Sequence, residues 1–171
     1  MKLSVREMQQ NDIEKIVDYF VKADADFLKG MGADKSKLPE REDWIAKLQL
    51  EYEKPYLKKE FYYIIWLIDH EPVGHSNINK IEFGKSATMH LHLWQTDQRK
   101  SGLGLKFIKL TIPYYFKHFE LKKLICEPYS ENIAPNKLLK KFGFKLVQTY
   151  RTIPGGINFY QSVNRYELEL Y

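Results

Sequence analysis

Cysteine is nearly missing from this chain: Cys126 is the only one. A lone cysteine excludes an internal disulfide and any multi-cysteine zinc site. Long apolar runs are missing too. No stretch approaches the roughly 20 residues of a membrane span, and Met1-Lys2 leads straight into a polar strand without a signal-peptide pattern. The expectation is a cytoplasmic, soluble protein with no membrane partner. A large charge excess is also lacking, since 27 basic against 22 acidic residues leave only +5. That balance suits an anionic ligand. The basic residues are scattered and carry no nucleic-acid recognition motif, so no nucleic acid is expected; a basic binder of DNA or RNA would instead show steeply salt-dependent affinity.

What is present is a globular composition, 44% apolar and 15% aromatic over 171 residues. That is enough for one domain, 1–171, with a real core. Residues 3–7 read as a strand. From Asn11, the spacing of Ile13, Ile16, Val17 and Phe20 predicts a helix to about Lys29, closed by Gly30 and Gly32. A second helix fits 39–52. The period then changes. "FYYIIWLID" suits a central strand, Val73–Ile81 continues it after a turn, and "ATMHLHLW" alternates. Met89, Leu91 and Leu93 share one face of that strand; His90, His92 and Trp94 share the other. A helix follows with Leu103, Phe107, Leu110 and Tyr114 in line, and Pro113 predicts a kink or an early end. "KKLICEPY" is a strand, 132–142 a helix closed by Gly143, and "FKLVQTYR" and "VNRYELELY" the last strands. No repeat, low-complexity tract or linker interrupts this α/β order.

The stretch "DQRKSGLGLKFI" spends two glycines where each costs a helix up to about 1 kcal/mol. A dinucleotide fingerprint is excluded because Phe107 stands where a small residue is needed, and no G-K-[ST] phosphate loop exists. What remains is a strand, a basic turn, Gly102, Gly104 and a helix start. Free N–H groups at a helix start, bare of side chains and flanked by Arg99 and Lys100, suit a pyrophosphate. A plain turn is the other reading.

"RKSGLG", 99–104, resembles the R/Q-x-x-G-x-G/A motif of the GCN5-related N-acetyltransferases (GNAT). "NIAPNKLLKKFGF", 132–144, resembles that family's N-x-x-[AS]…G-F helix, with Asn132 eleven residues before Gly143. The intervening helix and strand and the order of elements from 3 to 171 agree. The pattern is closest to the branch that acetylates ribosomal-protein N-termini. The resemblance implies a GNAT fold: a mixed, largely antiparallel central sheet with a splayed parallel strand pair and flanking helices. It implies acetyl-CoA as cosubstrate, bound between "MHLHLW" and "KKLICEP", and no metal. By similarity, the pyrophosphate meets main-chain N–H groups of Lys100, Ser101, Gly102, Leu103, Gly104 and Leu105. The pantetheine arm pairs with backbone of His92, Leu93 and Trp94, and Asn132 reaches it from the facing side. Lys137, Lys140 and Lys141 either approach the adenosine phosphate or form a solvated helix face.

Acetyl transfer to an amine needs a base, a donor for the carbonyl oxygen and a way for the thiolate to leave. Glu127 is the first candidate base, at the end of the strand facing the cofactor and five residues before Asn132, where some family members that acetylate protein N-termini carry a glutamate. Its plain alternative is a surface carboxylate paired with a lysine. His92 and His90 come next, each against the reading of a satisfied structural histidine. A metal site from His75, His90 and His92 lacks a carboxylate or cysteine at ligand spacing. Many family members place a tyrosine seven residues after the helix asparagine, where this chain has Leu139, and Pro135 replaces the usual small residue. Tyr129 or Ser130 are the substitutes for the missing acid. Cys126 alternates with Glu127 and is expected to pack, so transfer is direct.

Acceptor choice is expected from two irregular segments, 27–40 and 152–162, read as mobile lips. Asn158, Phe159, Tyr160 and Gln161 make the second neutral and aromatic. Asp24, Asp26, Glu40 and Glu42 could gather into an acidic site. The acceptor is a small-molecule amine or a peptide N-terminus, on a monomer or homodimer. A non-catalytic coenzyme A sensor on the same fold is the alternative.

Overall fold

The computed structural model describes residues 1–95 and 102–170. Along the chain run β1 (Leu3–Glu7), α1 (Ile13–Val21), α2 (Ala25–Gly30), α3 (Arg41–Glu53), β2 (Tyr62–Ile68), β3 (Glu71–Glu82) and β4 (Ser86–Leu93). Then come α4 (Leu103–Phe119), β5 (Lys123–Cys126), α5 (Ile133–Phe142), β6 (Lys145–Thr152) and β7 (Gln161–Glu169). Among the described residues the strands form a seven-stranded sheet in the order β1-β2-β3-β4-β5-β7-β6. Every neighbour pair is antiparallel except β4–β5.

Alternation along the strands sorts side chains to two layers. On one side, Ile64, Trp66, Ile78, Ala87, Met89, Leu124 and Cys126 pack against Leu103, Phe107, Ile108, Tyr115 and Phe119 of α4 and Leu139 of α5. The Trp66 ring stacks on Phe107 at 4.9 Å, and its indole N–H donates to Thr111 Oγ1 at 2.9 Å. On the other side, Tyr63, Ile65 and Leu67 meet Ile13, Ile16 and Val17 of α1 and Ile45 and Leu48 of α3. As expected, Met89, Leu91 and Leu93 face α4, while Trp94 packs toward α1 and α3.

Two helix expectations need correction. The helix predicted over 11–29 is two helices. Asp24 adopts an extended backbone between them and caps α2, its carboxylate accepting the Phe27 N–H at 2.7 Å. An aspartate is a preferred N-cap, so the break has a local cause. In α4 the chain runs through Pro113 to Phe119. Pro113 and Lys109 both lie on the exposed side, so the carbonyl that the proline leaves without a donor meets water. The buried stripe is Leu103, Phe107, Ile108, Thr111, Tyr115 and Phe119, and Leu110 is exposed.

The parallel pair is short. Ser86, Ala87 and Thr88 pair with Lys123, Leu124 and Ile125, and no further rung follows. β4 continues to Leu93 with that edge unpaired by β5. The two strands therefore part, opening a gap in the sheet's middle.

The two segments expected as mobile lips are tied to each other. Gly32 carbonyl accepts from Gln161 Nε2 at 2.7 Å and Asn158 Nδ2 at 2.9 Å. Asp34 N–H donates to Ile157 carbonyl at 2.8 Å, and Lys37 Nζ to Asn158 carbonyl at 3.0 Å. Gly32 sits at φ +84°, and a Cβ there would lie 2.4 Å from Gln161 Oε1. Gly32→Ala is expected to lose about 2–4 kcal/mol of stability, combining left-handed backbone strain with a displaced buried amide. Urea unfolding measures it; a variant as stable as the parent would show that the clasp carries little.

Candidate functional site

The gap lies between the part of β4 that β5 does not pair and the end of β5, and the starts of α4 and α5 follow these two strands in the chain. At α4, Gly102 is the N-cap at φ +71° with open space where a Cβ would project. Only glycine takes that backbone without strain. At Gly104 a Cβ would come within 3.2 Å of Leu138 Cδ2, so this glycine also lets α4 approach α5. Leu103 is buried and Leu105 half-buried. Arg99, Lys100 and Ser101 lie outside the described residues. His92 and Leu93 end β4 and Trp94 follows it, all three half-buried.

Asn132 is half-buried and begins α5 through its backbone, with no side-chain cap. The residue one turn on, Asn136, escaped the sequence reading. Its buried amide donates to the Tyr129 carbonyl at 3.0 Å and the Asn132 carbonyl at 2.7 Å, and accepts from Asn164 Nδ2 at 2.8 Å and Tyr166 OH at 3.1 Å. It fixes the β5–α5 loop to α5 and β7. Its only sequence signal was its place at i+4 from Asn132. Lys137, Lys140 and Lys141 are exposed.

Glu127 does not sit on the surface with a lysine. Its side chain is only 8% exposed and is held by Arg165 Nη1 at 3.1 Å. Tyr150 OH also donates to it. Both partners reach Oε1, and among the described residues none is found on Oε2. Arg165 in turn pairs with Glu167, and Glu167 with Lys123 at 2.9 Å. Burial first, then the Glu127 hydrogen bond, raises the Tyr150 phenol above its usual range. Arg165 and Tyr150 come from the final hairpin, far away in sequence, which is why no local pattern named them.

The histidines divide. His90 Nε2 meets Asn79 Oδ1 at 3.0 Å, and burial brings its pKa down to about 4, so the ring is neutral near pH 7. His92 packs against Phe20 at 5.1 Å and Tyr19 at 5.5 Å, ring to ring. His75 is fully buried on β3. Its Nδ1 accepts the Trp94 indole N–H at 2.9 Å, which places the ring proton on Nε2, where no partner meets it. Burial pushes His75 down to about 3. Among the described residues no group of three His, Cys, Asp or Glu could hold a metal ion.

Tyr129 turns outward, donating to Glu131 Oε2 at 2.8 Å, and this hydrogen bond raises its pKa, which suits an acid poorly. Ser130 is half-buried on the same loop, its N–H bonded to the Ser162 carbonyl at 2.9 Å. Leu139 is buried core. Cys126 is buried beside α4 and α5, and burial raises its thiol far above the normal range, so it packs and does not attack. The acidic gathering does not form: Asp26 and Glu40 are exposed, Glu42 pairs with Arg41, and Asp24 caps α2.

Residues 2–145 match the family model described as an acetyltransferase (GNAT) domain. No curated protein matches the sequence significantly. Among solved structures, the ribosomal L7/L12 alpha-N-protein acetyltransferase RimL in complex with coenzyme A is 15% identical with a TM-score of 0.80, over 99% of this chain and 95% of that one. The spermidine N-acetyltransferase from Vibrio cholerae, with coenzyme A and spermine, is 14% identical with a TM-score of 0.79, over 98% and 95%. The aminoglycoside acetyltransferase AAC(6')-Ib with coenzyme A is 16% identical with a TM-score of 0.72, over 98% and 95%. Identities this low speak for fold. Among the described residues no helix is long and apolar enough to cross a membrane.

Because the folded chain holds His75 near 3 against an ordinary 6.5, protons prefer the unfolded chain between those values. Stability is complete above about pH 6.5 and is lost as pH falls toward 3. At pH 5.5 this one group is expected to remove on the order of 1 kcal/mol relative to neutral pH. Urea midpoints at pH 7.5 and 5.5 should differ less in His75→Phe than in the parent; an equal difference would show that His75 does not titrate on unfolding.

Proposed function

Because the chain belongs to the acetyltransferase (GNAT) domain family, we propose that it moves the acetyl group of acetyl-CoA directly to a primary amine, both substrates being bound together. The observation that carries this reading is the parting of β4 from β5 after Thr88. Beyond Thr88 β5 no longer pairs with β4, and in this reading an amide-bearing arm lies along that side and pairs with main chain between His92 and Trp94 as another strand would, the Trp94 N–H itself being held by the Val73 carbonyl. The N–H groups that open α4, at Gly102, Leu103, Gly104 and Leu105, suit the pyrophosphate. Asn132 closes the opposite wall.

Glu127 acts as the base in this reading. Arg165 and Tyr150 hold Oε1, and Oε2 takes a proton from the ammonium directly or through one water. The neutral nitrogen then attacks the thioester carbon, the C–N bond forms, and charge on the oxygen is met by a β4 main-chain N–H. Collapse breaks the C–S bond, and the proton left on the nitrogen passes to the departing thiolate, directly or through water. A thiol of ordinary pKa near about 8.5 leaves without a dedicated acid, which agrees with Leu139 in the core and Tyr129 turned to Glu131. Ser130 is the remaining side chain on that loop able to donate. His92 lines the approach and orients the amine.

Thiol release from acetyl-CoA over a panel of amines tests this. Glu127→Gln is expected to lower kcat by about 100-fold or more and to flatten the acid limb of its pH profile. Retained rate and retained pH dependence would remove Glu127 from the chemistry.

A further inference from the structure

On the α1 side of the sheet, beside the end of β4, lies an open cleft of about 510 Å³. Its apolar walls are Tyr19 of α1, Phe27 of α2 and Trp94. Its charged rim holds Lys15 and Lys22 against Asp18 and Asp24. The cleft meets the face of β4, whereas the carrier's arm is read onto the edge, so both can be occupied together.

The carboxylates here are already engaged. Asp18 is bonded by Arg41 Nε at 2.8 Å and Lys22 Nζ at 2.7 Å, and Arg41 holds its pKa below the ordinary value. Asp24 Oδ1 is taken by the Phe27 N–H. With two lysines balancing two engaged acids, the rim offers a polycation no net attraction. The walls, in contrast, are fixed. Trp94 is tethered through its indole N–H to the fully buried His75, and Tyr19 is wedged edge-on to Phe20 at 4.8 Å and Phe27 at 6.1 Å. A preset aromatic slot rewards a flat apolar body.

Resting on the acetyl-transfer reading, we infer that the acceptor is a small primary amine carried on an aromatic body, which stacks in the slot of Tyr19, Phe27 and Trp94. Polyamines and aminoglycosides are poor acceptors. The row Trp94, His92, His90 along one face of β4 leads from the slot toward Glu127, which influences His90 electrostatically. With the ring at Trp94, an amine on a two-carbon tether reaches about the level of His92, two residues along, and one water completes the path to Glu127.

The test measures thiol release by the full chain with 2-phenylethylamine, ethylamine, spermidine and kanamycin. The expected kcat/KM for 2-phenylethylamine exceeds that for ethylamine and for spermidine by at least about 10-fold. Phe27→Ala and Tyr19→Ala should each remove most of that advantage, mainly through KM. His75→Phe should do the same by freeing the indole, and His75→Asn, whose amide oxygen can accept from it, should restore much of the loss. Thermal melts confirm that each variant is folded. Spermidine or kanamycin outranking 2-phenylethylamine, an advantage that survives both aromatic deletions, or release with none of the four amines would overturn the inference. Calorimetric titration with coenzyme A separates the two levels. Failure to bind sinks the transferase reading and the inference with it, while binding without aromatic preference sinks the inference alone.

Discussion

A parallel ladder that ends after Thr88 is the constraint on which the rest of the molecule depends. Elsewhere the sheet is continuous, and both of its faces are covered by helices. A strand edge left open inside such a sheet carries main-chain donors and acceptors with no partner in the neighbouring strand, and such groups call for one. The fold holds this edge in place by anchoring β4 on its other side to β3 through a long antiparallel register, from Gly74–Leu93 to Asn79–Thr88. The opening is thus rigid on one lip and closed at its base. That is the geometry a strand-like ligand needs.

The electrostatics around the opening follow the same division of labour. Charge is concentrated at Glu127, which Arg165 and Tyr150 pin from the final hairpin through one oxygen only. The histidines that share its face are neutral by burial, His90 bonded to Asn79 and His75 to Trp94. In the proposed reaction the carboxylate, and not these rings, takes the proton. His75 illustrates what this arrangement costs. Its Nε2–H is buried without a partner, a loss on the order of 1–3 kcal/mol. In exchange the indole at the mouth of the cleft is held in one orientation.

Segments that look irregular need not be loose. The Gly32 carbonyl gathers the Gln161 and Asn158 amides, joining stretches more than a hundred residues apart. Residues 27–40 and 152–162 are consequently joined to each other rather than being separate loose lips. Selectivity from a fixed frame arises through shape and apolar contact more than through closure.

Periodicity located most of the elements, though not the break at Asp24 that divides the first helix, nor the passage of α4 through Pro113. The alternation of Met89, Leu91 and Leu93 against His90, His92 and Trp94, the cap at Asn132 and the stop at Gly143 are local signals, and each describes the folded chain. Glycine at 102 was likewise legible, since its left-handed backbone is a property of one residue. The closeness of Gly104 to Leu138 was not legible, because that neighbour belongs to another helix. Glu127 could be picked from its place on a strand, but its partners Arg165 and Tyr150 could not. Neither could the Asn136 hub, the tether of Trp94 to His75, or the Gly32 clasp. Sequence determines what depends on spacing along the chain: faces, caps and turns. Only the tertiary structure decides which distant polar groups meet, because burial forces each to find a partner among whatever the sheet order sets beside it.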